Sequence, residues 1–182
     1  QHTWTNDVDA VNSMWSHLFD GVREANKLLD VLSDQQGDPL VAVDIAKIKT
    51  LRAFFMYLAM DNYGDIPIIT SFVNASPLPL KEKREEVYEF LINDLKPIAS
   101  LLPISTNKFA VSRGMAYSLM AKLYLNAEVY TGAPAYAEAE AMCDSIINLG
   151  NYALHNDVTS AFAADDAASS ALAAIVLAKL DL

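Results

Sequence analysis

The residues able to do chemistry in this 182-residue chain are few and scattered. Cys143 is the one cysteine, and His2, His17 and His155 lie far apart, so no short spacing of metal ligands exists. A single cysteine excludes an intramolecular disulfide, and Cys143 falls within a helical pattern, where it reads as a small core residue. The acidic pairs Glu85-Glu86 and Asp165-Asp166 are adjacent in sequence, whereas the two carboxylates of a glycosidase must face each other across a cleft. Asp157, Asp165 and Asp166 do not have the spacing of an EF-hand calcium loop and read as solvated carboxylates. The six glycines make no G-x-G, and G-x-S-x-G and H-E-x-x-H are absent. Nothing here argues for an enzyme, a metal or a cofactor. What remains is binding chemistry. Trp4 and Asn6 stand on a polar opening stretch, and Phe72 and Asn74 on a proline-containing loop. An aromatic beside an amide on a loop is what a sugar site uses, although both are also ordinary loop residues. Trp4 leads this group because it lies outside any helical stripe; Asn6, Phe72 and Asn74 follow.

These loops need a frame, and the stretch Ala46–Ile69, AKIKTLRAFFMYLAMDNYGDIPII, organises it. Leu51, Phe54, Phe55, Leu58 and Asn62 recur at helical spacing and define one face. Residues 53–60 are uncharged and mostly apolar on all sides, which predicts a buried helix. Gly64 supplies its C-terminal cap, Pro67 forbids continuation, and residues 65–69 must be extended. Arg52, at the start of the apolar run, reads as the partner of a carboxylate from another helix.

Upstream, residues 1–10 read as a loop. A helix is then predicted from Asn12 to Leu32, capped by Asn12 or Ser13. Trp15, Leu18, Phe19, Val22, Ala25, Asn26 and Leu29 form its apolar stripe. Trp15 reads as a core residue, and Asn26, within the same face, as an amide bonded to neighbouring backbone. Residues 33–39, SDQQGDP, break the chain. Downstream, Pro77 and Pro79 keep their loop out of helix. A third helix begins near Arg84, where Glu85 and Glu86 suit its positive end, and Pro97 interrupts it. A fourth runs from Ser112, its cap, to Tyr130. A fifth runs from Pro134 to Leu149, closed by Gly150. The fourth and fifth match a tetratricopeptide hairpin over 112–150: small Ala127 and Ala139 let the helices approach, and Tyr130 fills the space between turns.

Composition bounds the partners. The chain is 53% hydrophobic and 20% charged, hence globular, and long enough for a substantial core. A net charge of −10 argues against nucleic acid or an anionic membrane surface and fits a neutral ligand or a basic protein surface. No apolar run reaches the ~18 residues of a membrane span. Gln1 opens a polar stretch rather than a signal peptide.

Several of these segments together carry a family resemblance. LRAFFMYLAMDNYGDIPII is similar to the LRA-x-x-Y-x-x-L-x-x-x-YGD-x-P signature of the SusD/RagB family. Trp15-x3-Phe19-x2-Val22-x3-Asn26, the run Val87 to Leu95 ending at Leu102-Pro103, and the segment AKLYLNAEVYTGAPAYAEAEAMCDSIINLGNYAL resemble further family segments in the same order. The resemblance holds from Trp15 to Leu154 and is loose beyond, where Ala174 stands in place of an expected Glu. It implies a mainly α fold, a TPR-like stack of helical hairpins with extended loops. Residues 1–182 would form one helical domain, the N-terminal portion of a longer family fold. It further implies a non-catalytic, surface-exposed outer-membrane lipoprotein that holds an oligosaccharide for a SusC-like TonB-dependent transporter. The resemblance also implies an exported precursor whose leader and lipid anchor have been lost from this chain. Tyr63 and Asp65 of the YGD motif read as structural, Asp65 bonding backbone at the turn. The rival reading is a helical-repeat adaptor that binds a protein or peptide; it requires several stacked hairpins, and one good copy is present.

Overall fold

The computed structural model describes residues 8–35, 37–107 and 109–153. Trp4, Asn6 and the segment after Leu154 lie outside the described residues. The chain divides into two compact units between Asp94 and Leu95. Its elements are helices: α1 (Asp9–Leu32), α2 (Pro39–Tyr63), α3 (Arg84–Leu95), α4 (Arg113–Leu125), α5 (Ala127–Thr131) and α6 (Tyr136–Asn148). Among the described residues the β structure is one isolated bridge, Ile66 to Glu82. The fold is mainly α with long extended loops, as expected.

In the first unit α1 and α2 form an antiparallel hairpin. Asp38 starts α2 by accepting a hydrogen bond from Leu40 N at 2.9 Å, with Pro39 behind it in the first turn. The two helices meet closely at Gly21, where a Cβ would lie 2.6 Å from the Phe55 ring. A larger residue there would push the helices apart. At the open end of the hairpin Tyr63 Oη donates to Val11 O at 2.6 Å.

The buried face of α2 differs from the expected one. Ala46, Thr50, Ala53, Met56, Tyr57 and Met60 are buried, whereas Leu51 is exposed and Phe54, Phe55 and Leu58 are only partly covered. Asn62 is exposed and bonds back to Leu58 O. The run 53–60 is apolar all round, so periodicity offers no contrast between its faces.

Gly64 ends α2 with φ 81°, a conformation that costs other residues more than glycine. The long loop that follows is clamped where it begins and ends. Glu82 N donates to Ile66 O at 3.0 Å, closing the bridge. Arg84 N donates to Asp65 Oδ1 at 3.0 Å. Lys83, just before α3, has no side-chain oxygen with which to cap that helix, so Asp65 supplies one from across the loop. Glu86 reaches back to accept from Lys83 N at 2.8 Å, the reciprocal half of a capping box. Asp65 thus bonds backbone as expected, at the next helix rather than in its own turn.

In the second unit a 3₁₀ turn, Ala99–Leu101, follows the break at Pro97. Ser112 caps α4 by accepting from Met115 N. The expected fourth helix is split: Asn126 Nδ2 donates to Lys122 O at 3.0 Å, competing with the backbone, and α5 starts anew at Ala127. α4 and α6 then pack as an antiparallel hairpin around Ala121, Cys143 and Ile146, with Tyr117, Met142 and Tyr152 against them. Ala127, Tyr130 and Ala139 are all buried. Tyr152 Oη donates to Ser105 O at 3.0 Å, tying the segment after α6 to the one before α4.

Candidate functional site

The first unit fixes the loop after α2 through a buried polar centre. Asn26 of α1 donates from Nδ2 to Ile69 O at 2.7 Å and accepts on Oδ1 from Arg52 Nη1 at 2.9 Å. The same Nη1 reaches Thr70 O at 3.3 Å, and Nη2 donates to Asp94 Oδ2 at 2.6 Å. Lys49 holds the other oxygen of Asp94 at 2.9 Å. The Arg52 guanidinium also lies 5.6 Å from the Phe90 ring centroid, within cation–π range. Both expectations for these residues are met: Arg52 pairs with a carboxylate of another helix, and Asn26 bonds loop backbone. Their roles are structural, since the centre holds three helices and a loop together and the Arg52 and Asp94 side chains are almost fully buried.

A second clamp lies one turn further along α1. Asp30 Oδ2 accepts from Ser71 Oγ at 3.0 Å, Phe72 N at 2.8 Å and Val73 N at 2.9 Å. The Val73 N–H is the largest cause holding the Asp30 carboxyl below its usual range; burial opposes it, and the Phe72 N–H, Ser71 hydroxyl and Arg52 charge add to the lowering. These bonds set the position from which Phe72 projects.

Between α1 and this loop opens a hollow of about 430 Å³. Trp15, Phe19 and Phe72 bring three aromatic rings to it, and Asp20, Arg23 and Ser71 bring polar groups. Trp15 and Phe19 lie with centroids 4.4 Å apart and ring planes tilted by 36°, and Tyr63 meets Trp15 edge-on at 5.0 Å. Arg23 Nη2 lies 3.2 Å from Asp20 Oδ1 and 3.4 Å from Glu24 Oε1, so the guanidinium is shared between two carboxylates. Asn26 lines the hollow too, but its amide is committed to Ile69 and Arg52.

The four sequence candidates fare differently. Phe72 lines the hollow and is 46% exposed. Asn74 is exposed on the same loop, its N–H donating to Ser71 Oγ, and is not among the lining residues. Trp4 and Asn6 lie outside the described residues. Trp15, read from the sequence as core, is only half-buried and lines the hollow instead. The apolar stripe of α1 runs wider than its partner helix can cover, and the loop after α2 closes over only part of it. Phe19 reads from the sequence as part of the apolar stripe, and Asp20 and Arg23 carry no distinguishing signal, being exposed positions on one turn of an amphipathic helix. Among the described residues no group of three His, Cys, Asp or Glu side chains is arranged to hold a metal. No described helix is long and apolar enough to cross a membrane.

Residues 1–125 match the SusD-like family described as "Starch-binding associating with outer membrane". The starch-binding protein SusD of Bacteroides thetaiotaomicron is 33% identical over 135 residues, 72% of this chain. That stretch is 24% of the relative, so the chain spans about a quarter of its length. Among solved structures, a laminarin binding SusD-like protein aligns with a TM-score of 0.61 and 26% identity over 74% of this chain and 29% of that one. A crystal structure described with a xylogluco-oligosaccharide aligns with a TM-score of 0.79 over 93% of this chain and 36% of that one, at 19% identity, and so speaks for the fold alone.

Proposed function

The chain belongs to the SusD-like family, and on that premise we propose that it is part of a non-catalytic glycan-binding protein of the cell surface. In this reading it holds a starch-type oligosaccharide and delivers it to a SusC-like TonB-dependent transporter of the outer membrane. The observation that carries the reading is the 33% identity to a starch-binding protein over most of the chain. Attachment to the membrane is proposed to come from a lipid anchor. The chemistry suits a neutral ligand: sugar rings offer apolar C–H faces to aromatic side chains and hydroxyls to amides, guanidinium groups and carboxylates. Trp4, Asn6, Phe72 and Asn74 are the proposed contacts.

Calorimetric titration of the purified chain against maltoheptaose, laminarihexaose and xyloglucan oligosaccharides tests the reading. Saturable binding to one glycan class supports it. No heat with any of them, for this chain and for the full-length protein, refutes it. The adaptor alternative has one tetratricopeptide-like hairpin, α4 with α6, among the described residues and no peptide groove built from repeated copies.

A further inference from the structure

We infer that the hollow lined by Trp15, Phe19 and Phe72, with Asp20 and Arg23 beside them, holds a short stretch of a neutral glycan; this rests on the glycan-binding reading above. Its size suits a small ligand. At about 430 Å³ it falls within the ~300–1,000 Å³ of small-molecule sites and is too small for a folded partner.

Its lining suits a sugar. The apolar part is aromatic: the Trp15–Phe19 pair from α1, tilted 36° to each other, and the half-exposed Phe72 from the loop. Such rings stack on the C–H face of a pyranose. The polar part is balanced. Asp20 and Arg23 lie 3.2 Å apart and present an acceptor next to donors. Vicinal sugar hydroxyls, each both donor and acceptor, satisfy that arrangement. An anionic ligand would meet Asp20 and the −10 net charge of the chain, and a cation would meet Arg23. The Asn26 amide is already spent on the loop and on Arg52, so it holds the site together and leaves recognition to its neighbours.

The hollow is also preorganised. Asp30 takes the Phe72 and Val73 N–H groups and the Ser71 hydroxyl, so Phe72 is presented from a fixed backbone and little ordering is needed on binding. Trp15 is braced by Tyr63, whose hydroxyl is itself anchored on Val11 O.

The test is calorimetry of the full 182-residue chain with maltoheptaose and laminarihexaose, for wild type, Phe72→Ala, Phe72→Trp and Arg23→Ala. Phe72 and Arg23 are exposed, so circular dichroism should show all variants folded. The expected result is a Kd at least about tenfold weaker for Phe72→Ala, a clear weakening for Arg23→Ala, and Phe72→Trp within about threefold of wild type. Wild-type binding with Phe72→Ala and Arg23→Ala both within about twofold of it would overturn the hollow and leave the glycan-binding reading standing. No wild-type binding to either glycan would overturn the hollow, and the glycan-binding reading falls with it when the full-length protein also binds none of the glycans tested. Should Phe72→Ala fail to fold, Arg23→Ala decides: binding within about twofold of wild type places the sugar elsewhere.

Discussion

Replacing Arg52 by Met tests the claim that one buried guanidinium holds the first unit together. Arg52 and Asp94 side chains are 4% and 8% exposed, and their contact is 2.6 Å. Removing one partner of a buried pair costs roughly 3–5 kcal/mol, mostly because the other charge is left uncompensated. Here Lys49 stays within 2.9 Å of Asp94 and offsets part of that penalty, which favours the lower end. Against this, Asn26 Oδ1 loses its donor in a site with no solvent exposure, and an unsatisfied buried acceptor costs roughly 1–3 kcal/mol. The terms overlap, so the expected loss is about 3–4 kcal/mol. With a urea m-value of about 2 kcal/mol/M, the unfolding midpoint should fall by roughly 1.5–2 M. Urea titration followed by circular dichroism reads this directly. Lys49→Met, whose side chain is 32% exposed, should cost no more than about 1 kcal/mol. The double variant Arg52→Met/Asp94→Leu, with both charges gone, should be more stable than Arg52→Met alone. An Arg52→Met midpoint no lower than that of Lys49→Met would refute the reasoning.

Asp30→Asn should release the loop around Phe72, seen as faster hydrogen exchange of the Phe72 and Val73 amides, with the helices intact. In the wild type the Asp30 carboxyl is held below its ordinary value of 3.8, so the fastening is complete above that value. It is lost as pH falls through the lower folded value; amide protection that stays constant across that range would count against the clamp. Gly21→Ala should destabilise through overpacking against Phe55, by up to about 2 kcal/mol once the better helix propensity of Ala is set against it. The loss should shrink in a Phe55→Leu background, and equal losses in both backgrounds would remove Phe55 as the cause. Ser112→Ala should cost about 1 kcal/mol through loss of the α4 cap, measured by thermal unfolding, and Ser112→Asp should retain most of it.

Much of the frame was legible because a few residues are unambiguous. Gly64 and Pro67 end α2 whatever surrounds them, and Ser112 and Pro97 mark a start and a break. Arg52 could be read as paired because an isolated cation at the edge of a dense apolar run has few other fates. Its partner Asp94 could not be named, since every helical carboxylate looks alike in sequence until helices are docked. The buried side of α2 differs for the opposite reason: from Ala53 to Met60 every face is apolar, and the burial of Ala53 and Met56 rather than Phe54 and Leu58 is settled only by packing. The division of the fourth helix falls at Asn126, whose backbone N–H and side-chain Nδ2 both donate to Lys122 O within an otherwise helical sequence. Trp15 shows where the site escaped. A tryptophan on an amphipathic stripe reads as core, and only the path of the loop from Gly64 to Lys83 decides how much of the stripe stays open.

That path has a further consequence for how such a protein can change. Both ends of the loop are stapled independently of its middle, by the Ile66–Glu82 bridge and by Asp65 on the first turn of α3. The residues between them, from Ala75 to Leu80, make no contribution to starting the next helix. Lengthening such a closed segment costs only about 0.6 kcal/mol per doubling. The loop is therefore a replaceable cassette: new residues grafted between Ala75 and Leu80 would change what borders the hollow at little cost to the helices beneath.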